Sequence, residues 1–188
     1  MKKVLFAASL FLITITILCC TKTDNTGVKT STTHNGFTVN EAFYNTENAG
    51  IHIAHDTFAL IFYSTAVSFN INEQHWKGTG HAVEFDELIA DNLADGFPTG
   101  NFVFSEDSQA NCFTDGLAMT NFNFQDHTGI ERECVRGNIN ISKTGDQFVI
   151  AYNLKCDDSA SVAGEFKGQL QDITHWFIGK KQIQRRSF

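Results

Sequence analysis

Three side chains in residues 51–56 (IHIAHD) are of the types that bind metal ions, namely His52, His55 and Asp56. On a helix, positions three apart share a face, so the two imidazoles could hold one metal ion together. The local pattern instead indicates a strand or turn, where positions three apart point to opposite faces. We therefore expect surface histidines, keep His52 and His55 as ligand-binding candidates, and predict no metal site and no cofactor.

Two His-Trp pairs, His75-Trp76 and His175-Trp176, form the second group of residues suited to binding. The indole rings of Trp76 and Trp176 could form a platform for a sugar ring, although packing in a core or at its rim is the commoner role of tryptophan. The chain has no GxSxG, P-loop or HExxH motif, which are the patterns of hydrolases, phosphate binders and zinc proteases. We predict no catalytic residues and expect a protein that is not an enzyme.

Three equally spaced cysteines, Cys112, Cys134 and Cys156, lie in the second half of the chain. In an oxidising compartment two of the three should form a disulfide. Cys134–Cys156 is the favoured pair because these residues flank a predicted hairpin, and Cys112–Cys134 is the alternative. A β-bulge near Asn153, or a three-residue hairpin loop, would bring the favoured pair opposite each other.

The predicted hairpin has strands in which apolar and polar residues alternate on both sides of a glycine-containing turn. Ile139 and Ile141 lie on the first strand, and Phe148 and Ile150 on the second. A two-residue loop at residues 144–145 would pair Ile141 with Phe148 and Ile139 with Ile150. A three-residue loop would shift the register by one and turn every side chain to the other face.

Alternating patterns predict strands along most of the remaining chain. The further predicted strands are residues 37–44, 57–64, 66–72, 78–86, 101–104, 117–124, 130–142, 162–170 and 173–178, and residues 86–94 are predicted to form one short helix. The run at residues 57–64 is nearly all apolar, as expected of a strand that is buried on both faces. Eighteen phenylalanines and one proline among 188 residues also favour short strands over helices. The prediction is one antiparallel β-sandwich or lipocalin-like barrel of about ten strands, with at most one short helix.

Residues 1–19 are predicted to form a secretory leader, because a basic start is followed by an apolar run at residues 4–18 that is too short to span a membrane. The leader ends in Ile-Leu-Cys-Cys, which resembles the lipobox of bacterial lipoproteins, where a small residue precedes a lipid-modified cysteine. Cys20 fits that role better than Cys19, since Cys19 follows the bulky Leu18. The resemblance implies a signal peptide at residues 1–19 and acyl chains on Cys20 that anchor the protein to a membrane.

Residues 20–36 are rich in threonine and asparagine and predict a flexible tether. An all-β domain at residues 37–179 and a basic tail at residues 180–188 follow. Within the domain, the stretches GHAVEFD, FPTGNFVFS, GNINISKTGDQFVIAYNL and GEFKGQL resemble the layout of small Bacteroidetes lipoproteins with sandwich or lipocalin-like domains. The resemblance implies a lipid-anchored protein of the bacterial outer membrane, on its periplasmic or cell-surface side. Some lipoproteins of this kind bind haem through two histidines, so haem remains an alternative ligand.

The formal net charge of −7 gives the chain no electrostatic footprint for nucleic acid. Together, the features predict a non-enzymatic binding module for a small ligand or glycan, held at the cell envelope. The alternative is a structural or interaction subunit of a surface-exposed complex, which would use a sheet edge or face.

Overall fold

The computed structural model describes residues 34–177, apart from residues 71 and 74. Sixteen strands and one 3₁₀ helix form this part of the chain, and the predicted all-β class is confirmed. The strands are β1 (Gly36–Val39), β2 (Ala42–Asn45), β3 (Asn48–Ala54), β4 (Thr57–Tyr63), β5 (Ser68–Asn70), β6 (His75–Lys77), β7 (Thr79–Ile89), β8 (Leu93–Ala94), β9 (Phe97–Pro98), β10 (Gly100–Phe104), β11 (Cys112–Phe113), β12 (Asp115–Asn123), β13 (Thr128–Thr144), β14 (Gln147–Cys156), β15 (Ser161–Gly168) and β16 (Gln171–Asp172). The predicted leader, Cys20 and the basic tail lie outside the described residues.

Twelve strands form one large sheet in the order β16-β3-β4-β7-β11-β10-β13-β14-β15-β1-β2, and β12 pairs with both β7 and β13. The pairs β16–β3 and β10–β11 are parallel and the others are antiparallel. The sheet is therefore mixed, and the prediction of a wholly antiparallel arrangement is wrong at these two places. The hairpins β5–β6 and β8–β9 form two small separate sheets.

The large sheet curls so that its two halves pack against each other. The ring of Phe62 on β4 lies 5.5 Å from the rings of Tyr152 on β14 and Phe166 on β15. Phe85 on β7 lies 5.2 Å from the same tyrosine. These contacts join strands that are far apart in the sheet order, and the concave side holds the main core. A sandwich-like or barrel-like fold fits this arrangement.

Strand β4 is buried on both faces, as its apolar run predicts. Leu60 and Phe62 belong to the main core, whereas Ile61 and Tyr63 belong to a second apolar cluster on the outer face. Trp76 on β6 packs against this second cluster, so the β5–β6 hairpin covers the outer face of β4. Alternate side chains pointing to opposite sides of a strand explain why no polar residue interrupts the run.

The β13–β14 hairpin has the predicted two-residue loop, but one position later in the chain. Thr144 pairs with Gln147, which leaves Gly145 and Asp146 in the loop, and Ile141 pairs with Ile150 rather than with Phe148. Gly145 has a φ of 57°, which suits the first position of a tight hairpin turn. The register differs from the predicted one by two residues, so the inward face stays the same.

Two of the predicted elements have a different secondary structure in the fold. The helix predicted at residues 86–94 does not form, because β7 continues to Ile89 with Leu88 buried and paired to Phe58 of β4. The strand predicted at residues 173–178 is also wrong, because Thr174–Phe177 form the 3₁₀ helix.

The strand predicted at residues 37–44 is instead a hairpin made of β1 and β2. Its turn residues, Asn40 and Glu41, have φ angles of 46° and 77°, the left-handed conformation that tight hairpins require at both central positions. Hairpins of this kind, together with the two-residue strands, raise the number of strands above the predicted ten.

Candidate functional site

A cleft of about 410 Å³ opens where the edge strand β2 faces the beginning of β7. The β4–β7 ladder ends at the Tyr63–Ala82 pair, whereas residues 79–81 of β7 remain alongside β12. Residues 64–66, which follow β4, border the space beside this end of β7. We call this space the His81 cleft, and its lining residues are Phe43, Tyr44, Asn45, Glu47, Ser64, Thr65, Ala66, Thr79, Gly80 and His81.

His81 is held in place by three hydrogen bonds, two with Ser64 and one with Asn121. Its backbone N–H donates to Ser64 Oγ at 3.1 Å, and its carbonyl accepts from the N–H of Ser64 at 3.0 Å. Its ring Nδ1 accepts from the backbone N–H of Asn121 at 3.2 Å. A bulge in β12 lies opposite His81, and Asn121 has a φ of 50° there. The bulge therefore directs a backbone donor at the imidazole.

The protonation state of His81 follows from this environment. Burial lowers the pKa of His81 from 6.5, and the negative charge of Glu47 opposes the shift. At neutral pH the ring is therefore neutral, and because Nδ1 accepts a hydrogen bond, the proton is on Nε2. His81 can offer a ligand one N–H donor.

Glu47 supplies the acceptor in the cleft. Its Oε2 accepts from the backbone N–H of Thr65 at 3.3 Å, which holds the carboxylate against the β4–β5 connection. A carboxylate has about four lone-pair sites, and one backbone bond leaves capacity for a ligand. The hydroxyls of Ser64, Thr65 and Thr79 also lie around the cleft.

Two aromatic residues of β2 border the cleft, and their side chains point to opposite faces of that strand. Tyr44 packs between the core ring of Phe37, at 5.4 Å, and the imidazole of His81, at 4.8 Å. Phe43 is 44% exposed, and its ring lies over Gly36, where even a Cβ atom would come within 2.6 Å of it. Glycine at position 36 thus leaves the space that the Phe43 ring occupies.

The His81 cleft combines a carboxylate acceptor, an imidazole donor, several hydroxyl-bearing residues and the aromatic residues Phe43 and Tyr44. Recognition of hydroxyl-rich rings requires this chemistry, since each ring has an apolar face and hydroxyls that both donate and accept. The volume lies in the range of about 300–1,000 Å³ that is typical of small-molecule sites.

The histidines singled out in the sequence lie elsewhere. His52 is on β3, and burial lowers its pKa while the charge of Asp172 opposes the shift. His55 is exposed in the β3–β4 turn with a φ of 57°. Among residues 34–70, 72–73 and 75–177, no group of three or more His, Cys, Asp or Glu side chains could hold a metal ion.

The two tryptophans have different surroundings. The ring of Trp76 lies 5.0 Å from Tyr63 and 5.3 Å from Phe69, as part of the second apolar cluster. Trp176 has its backbone in the 3₁₀ helix, and its side chain lies outside the described residues. The tryptophan platform stays a prediction, and the contacts of Trp76 are those of a packing residue.

The three cysteines described are free and buried, so the predicted disulfide is not formed in the structure. Cys134 and Cys156 are nevertheless direct partners between β13 and β14, because Val135 is an extra residue on β13. The bulge predicted near Asn153 is thus on the other strand. Burial raises the pKa of Cys134 to about 12 and that of Cys156 to about 11. Cys112 pairs with Ile89 of β7.

The residues of the His81 cleft carry no common sequence signal. They come from three segments, residues 43–47, 64–66 and 79–81. Pairing of β3 with β4 and of β4 with β7 brings Glu47, Ser64 and His81 together, and the curl of the sheet adds β2. The one local sign is Gly78-Thr79-Gly80 immediately before His81. Gly80 is needed because a Cβ there would come within 2.3 Å of Ser64 Oγ.

No protein-family model matches the chain, and neither a curated protein nor a solved structure shows significant similarity to it. In the part of the chain that the structure describes, no helix has the length and apolar character needed to cross a bilayer. The fold class and the His81 cleft therefore provide the basis for a functional argument.

Proposed function

We propose that this chain is a lipid-anchored bacterial envelope protein whose all-β domain binds a neutral, hydroxyl-rich small ligand, such as a glycan, in the His81 cleft. The observation that carries the proposal is that Glu47 and His81 line one cleft together with Tyr44 and the exposed Phe43. The proposed role is binding without catalysis, because Nδ1 of His81 is already engaged by the backbone of Asn121.

Charge favours a neutral ligand over an anion. Glu47 brings a negative charge to the cleft wall, and the chain has a formal net charge of −7. An anionic ligand would be repelled by both. A neutral hydroxyl can instead donate to Glu47 and accept from the neutral imidazole of His81, and hydrogen bonds to a charged group are the stronger kind.

The aromatic rings support a ligand with an apolar face. Phe43 is exposed, and Tyr44 is fixed from behind by Phe37. Because the ring of Tyr44 is held by core contacts before any ligand arrives, little side-chain entropy is lost on binding. A sugar ring has such a face, which is why the proposal names a glycan.

Attachment to the envelope is supported by the sequence. The leader and the lipobox-like Leu18-Cys19-Cys20 suit export and lipid modification at Cys20. The assignment to the bacterial outer membrane rests on the resemblance to Bacteroidetes lipoproteins. Metabolic labelling with an alkyne-bearing fatty acid tests the anchor: Cys20→Ser should abolish the label and Cys19→Ser should retain it. Label retained in Cys20→Ser would contradict an anchor at this residue.

Binding is tested with the full chain in detergent, screened against an array of neutral glycans and then titrated by calorimetry with any that bind. Glu47→Gln keeps an oxygen for the N–H of Thr65 but removes the charge, so affinity should fall about tenfold or more, equivalent to about 1.4 kcal/mol. Phe43→Ala should weaken binding similarly. Glu131→Gln on the exposed part of β13 is the matched control and should leave affinity unchanged. Failure of every glycan to bind, or cleft variants with wild-type affinity, would overturn the proposal.

An interaction subunit is the second candidate, and one surface favours it. On the outer face of β10, β13, β14 and β15, one row of paired residues is uncharged, and the neighbouring rows carry charges such as Glu165 and Lys167. The uncharged row is Val103, Asn138, Asn153 and Ala163. Charged side chains are depleted at the centres of protein interfaces. Asn138→Lys would put a charge in this row, so it should release a bound partner protein while leaving ligand binding in the His81 cleft intact.

A further inference from the structure

Cys134 and Cys156 lie directly opposite each other on neighbouring antiparallel strands. The regular β13–β14 register would pair Val135 with Cys156, but the pairing shifts by one between Arg136 and Cys134. Val135 is the residue left over, and its side chain is exposed. The bulge thus turns Cys134 inward to the same face as Cys156, and both thiols belong to the main core.

The hydrogen bonds around this pair show which type of antiparallel pair it is. The N–H of Asp157 donates to the carbonyl of Glu133 at 3.0 Å, one residue outside the two cysteines, and the N–H of Cys156 donates to Ala160 at 2.9 Å. Cys134 and Cys156 are therefore a non-hydrogen-bonded pair, the type in which the Cα atoms are about 4.5 Å apart. Disulfides span Cα distances of about 4.4–6.8 Å, so the backbone geometry of this pair is compatible with a disulfide.

Cys112 has different neighbours. It lies on β11, where its partners are Ile89 of β7 and Val103 of β10. Neither partner is a cysteine, so strand pairing does not place Cys112 opposite another thiol. The strand register therefore identifies Cys134 and Cys156 as the two cysteines that lie opposite each other. The equal spacing of the three cysteines in the sequence does not distinguish between the possible pairs.

We infer that Cys134 and Cys156 form a cross-strand disulfide on oxidation, while Cys112 remains a thiol. The oxidant is a disulfide of the dithiol-exchange class. Each cysteine loses its hydrogen, one S–S bond forms, and the two electrons and two protons reduce the donor disulfide to two thiols. The bond would fasten the β13–β14 hairpin at the bulge.

Burial affects when the bond can form. The pKa of Cys134 is raised to about 12 and that of Cys156 to about 11, so thiolate is scarce at neutral pH, and thiolate is the form that attacks a disulfide. The folded, reduced chain should therefore react slowly. Oxidation should be fast while the chain is unfolded and the thiols have ordinary pKa values.

The experiment is to refold the full chain with oxidised and reduced glutathione, block remaining thiols with N-ethylmaleimide in denaturant, and map peptides by mass spectrometry. The expected result is one linked peptide pair that contains Cys134 and Cys156, two hydrogens lighter than the reduced pair, with Cys112 carrying the maleimide. Maleimide on both Cys134 and Cys156, or a link from Cys112 to either one, would overturn the inference. Cys112→Ala should keep the linked pair, and the wild-type map decides the question if that variant does not fold.

Discussion

The imidazole Nδ1 of His81 accepts a hydrogen bond from the backbone N–H of Asn121, with 3.2 Å between the two nitrogens. A histidine that accepts at Nδ1 must be neutral, because protonation places a hydrogen on that atom. The bond exists only because β12 bulges opposite His81. Protonation of the His81 ring would therefore break the hydrogen bond that joins the cleft wall to the bulge of β12.

The first prediction concerns pH. Burial lowers the pKa of His81 in the folded chain below the ordinary 6.5, so the unfolded chain binds this proton more tightly. The stability from the neutral ring is therefore complete above pH 6.5 and is lost as the pH falls through the folded-state pKa. Denaturant unfolding from pH 7.5 to 5 should show declining stability.

The matched comparison for this pH effect is His81→Gln, which can still accept from Asn121 but does not titrate. It should show a smaller decline than wild type, whereas His55→Gln in the exposed turn should keep the wild-type slope. An imidazole titration by NMR gives the direct measurement. A His81 pKa at or above 6.5 would refute the argument.

The parts of the fold that sequence could predict are those fixed by local alternation. The inward faces of β13 and β14 follow from residues such as Ile139 and Ile150, and burial of β4 on both faces follows from its apolar run. The β1–β2 hairpin could not be found this way, since Asn40-Glu41 lacks the glycine that marks such turns and the alternation continues through it.

The His81 cleft could not be predicted for a different reason. Ser64 and His81 meet through the β4–β7 pairing, but Tyr44 on β2 reaches His81 only through the curl of the sheet, and that curl depends on contacts between distant strands. Likewise the Cys134–Cys156 alignment depends on a bulge at Val135, and nothing in the local pattern distinguishes that position from its neighbours.

The second prediction concerns Gly36. A Cβ at this position would come within 2.4 Å of the carbonyl oxygen of Tyr44 and 2.6 Å of the Phe43 ring. Gly36→Ala should therefore separate β1 from β2 locally and cost about 1–3 kcal/mol, the usual range for overpacking. It should also weaken ligand binding in the cleft. The comparison is Gly96→Ala, where no atom lies within 4 Å of the added Cβ. Its positive φ adds strain, but it should leave binding unchanged, and equal binding losses in the two variants would count against the prediction.

The third prediction concerns Lys143, whose side chain is buried between two rings. Its Nζ lies 4.9 Å from the ring centre of Phe97 and 5.4 Å from that of Phe148, and it donates to Asp95 at 2.8 Å. Lys143→Ala removes both the cation and the packed stem and should cost about 1–2 kcal/mol, while Lys143→Met keeps the stem and should cost less.

The pKa of Asp95 gives a second measurement of the Lys143–Asp95 ion pair. The hydrogen bond from Lys143, followed by its charge, lowers the pKa of Asp95. In Lys143→Met the pKa of Asp95 should rise toward its ordinary value, as measured by NMR. An Asp95 pKa that does not change would show that the ion pair is absent in solution.

The fourth prediction concerns Tyr152, whose ring packs at the centre of the main core against Phe62 and Phe85. Its hydroxyl is buried and has no hydrogen-bond partner among the described residues. Burial raises the pKa of Tyr152, so the group stays neutral, but an unpaired buried hydroxyl still costs about 1–3 kcal/mol.

Tyr152→Phe removes the hydroxyl and keeps the ring, so it should raise the free energy of unfolding by about 1 kcal/mol. Tyr152→Leu loses the ring contacts and should be destabilised. Denaturant unfolding of the three proteins at one pH makes the comparison. A Phe variant that is less stable than wild type would mean that the hydroxyl is bonded in solution, and a buried water would then be its partner.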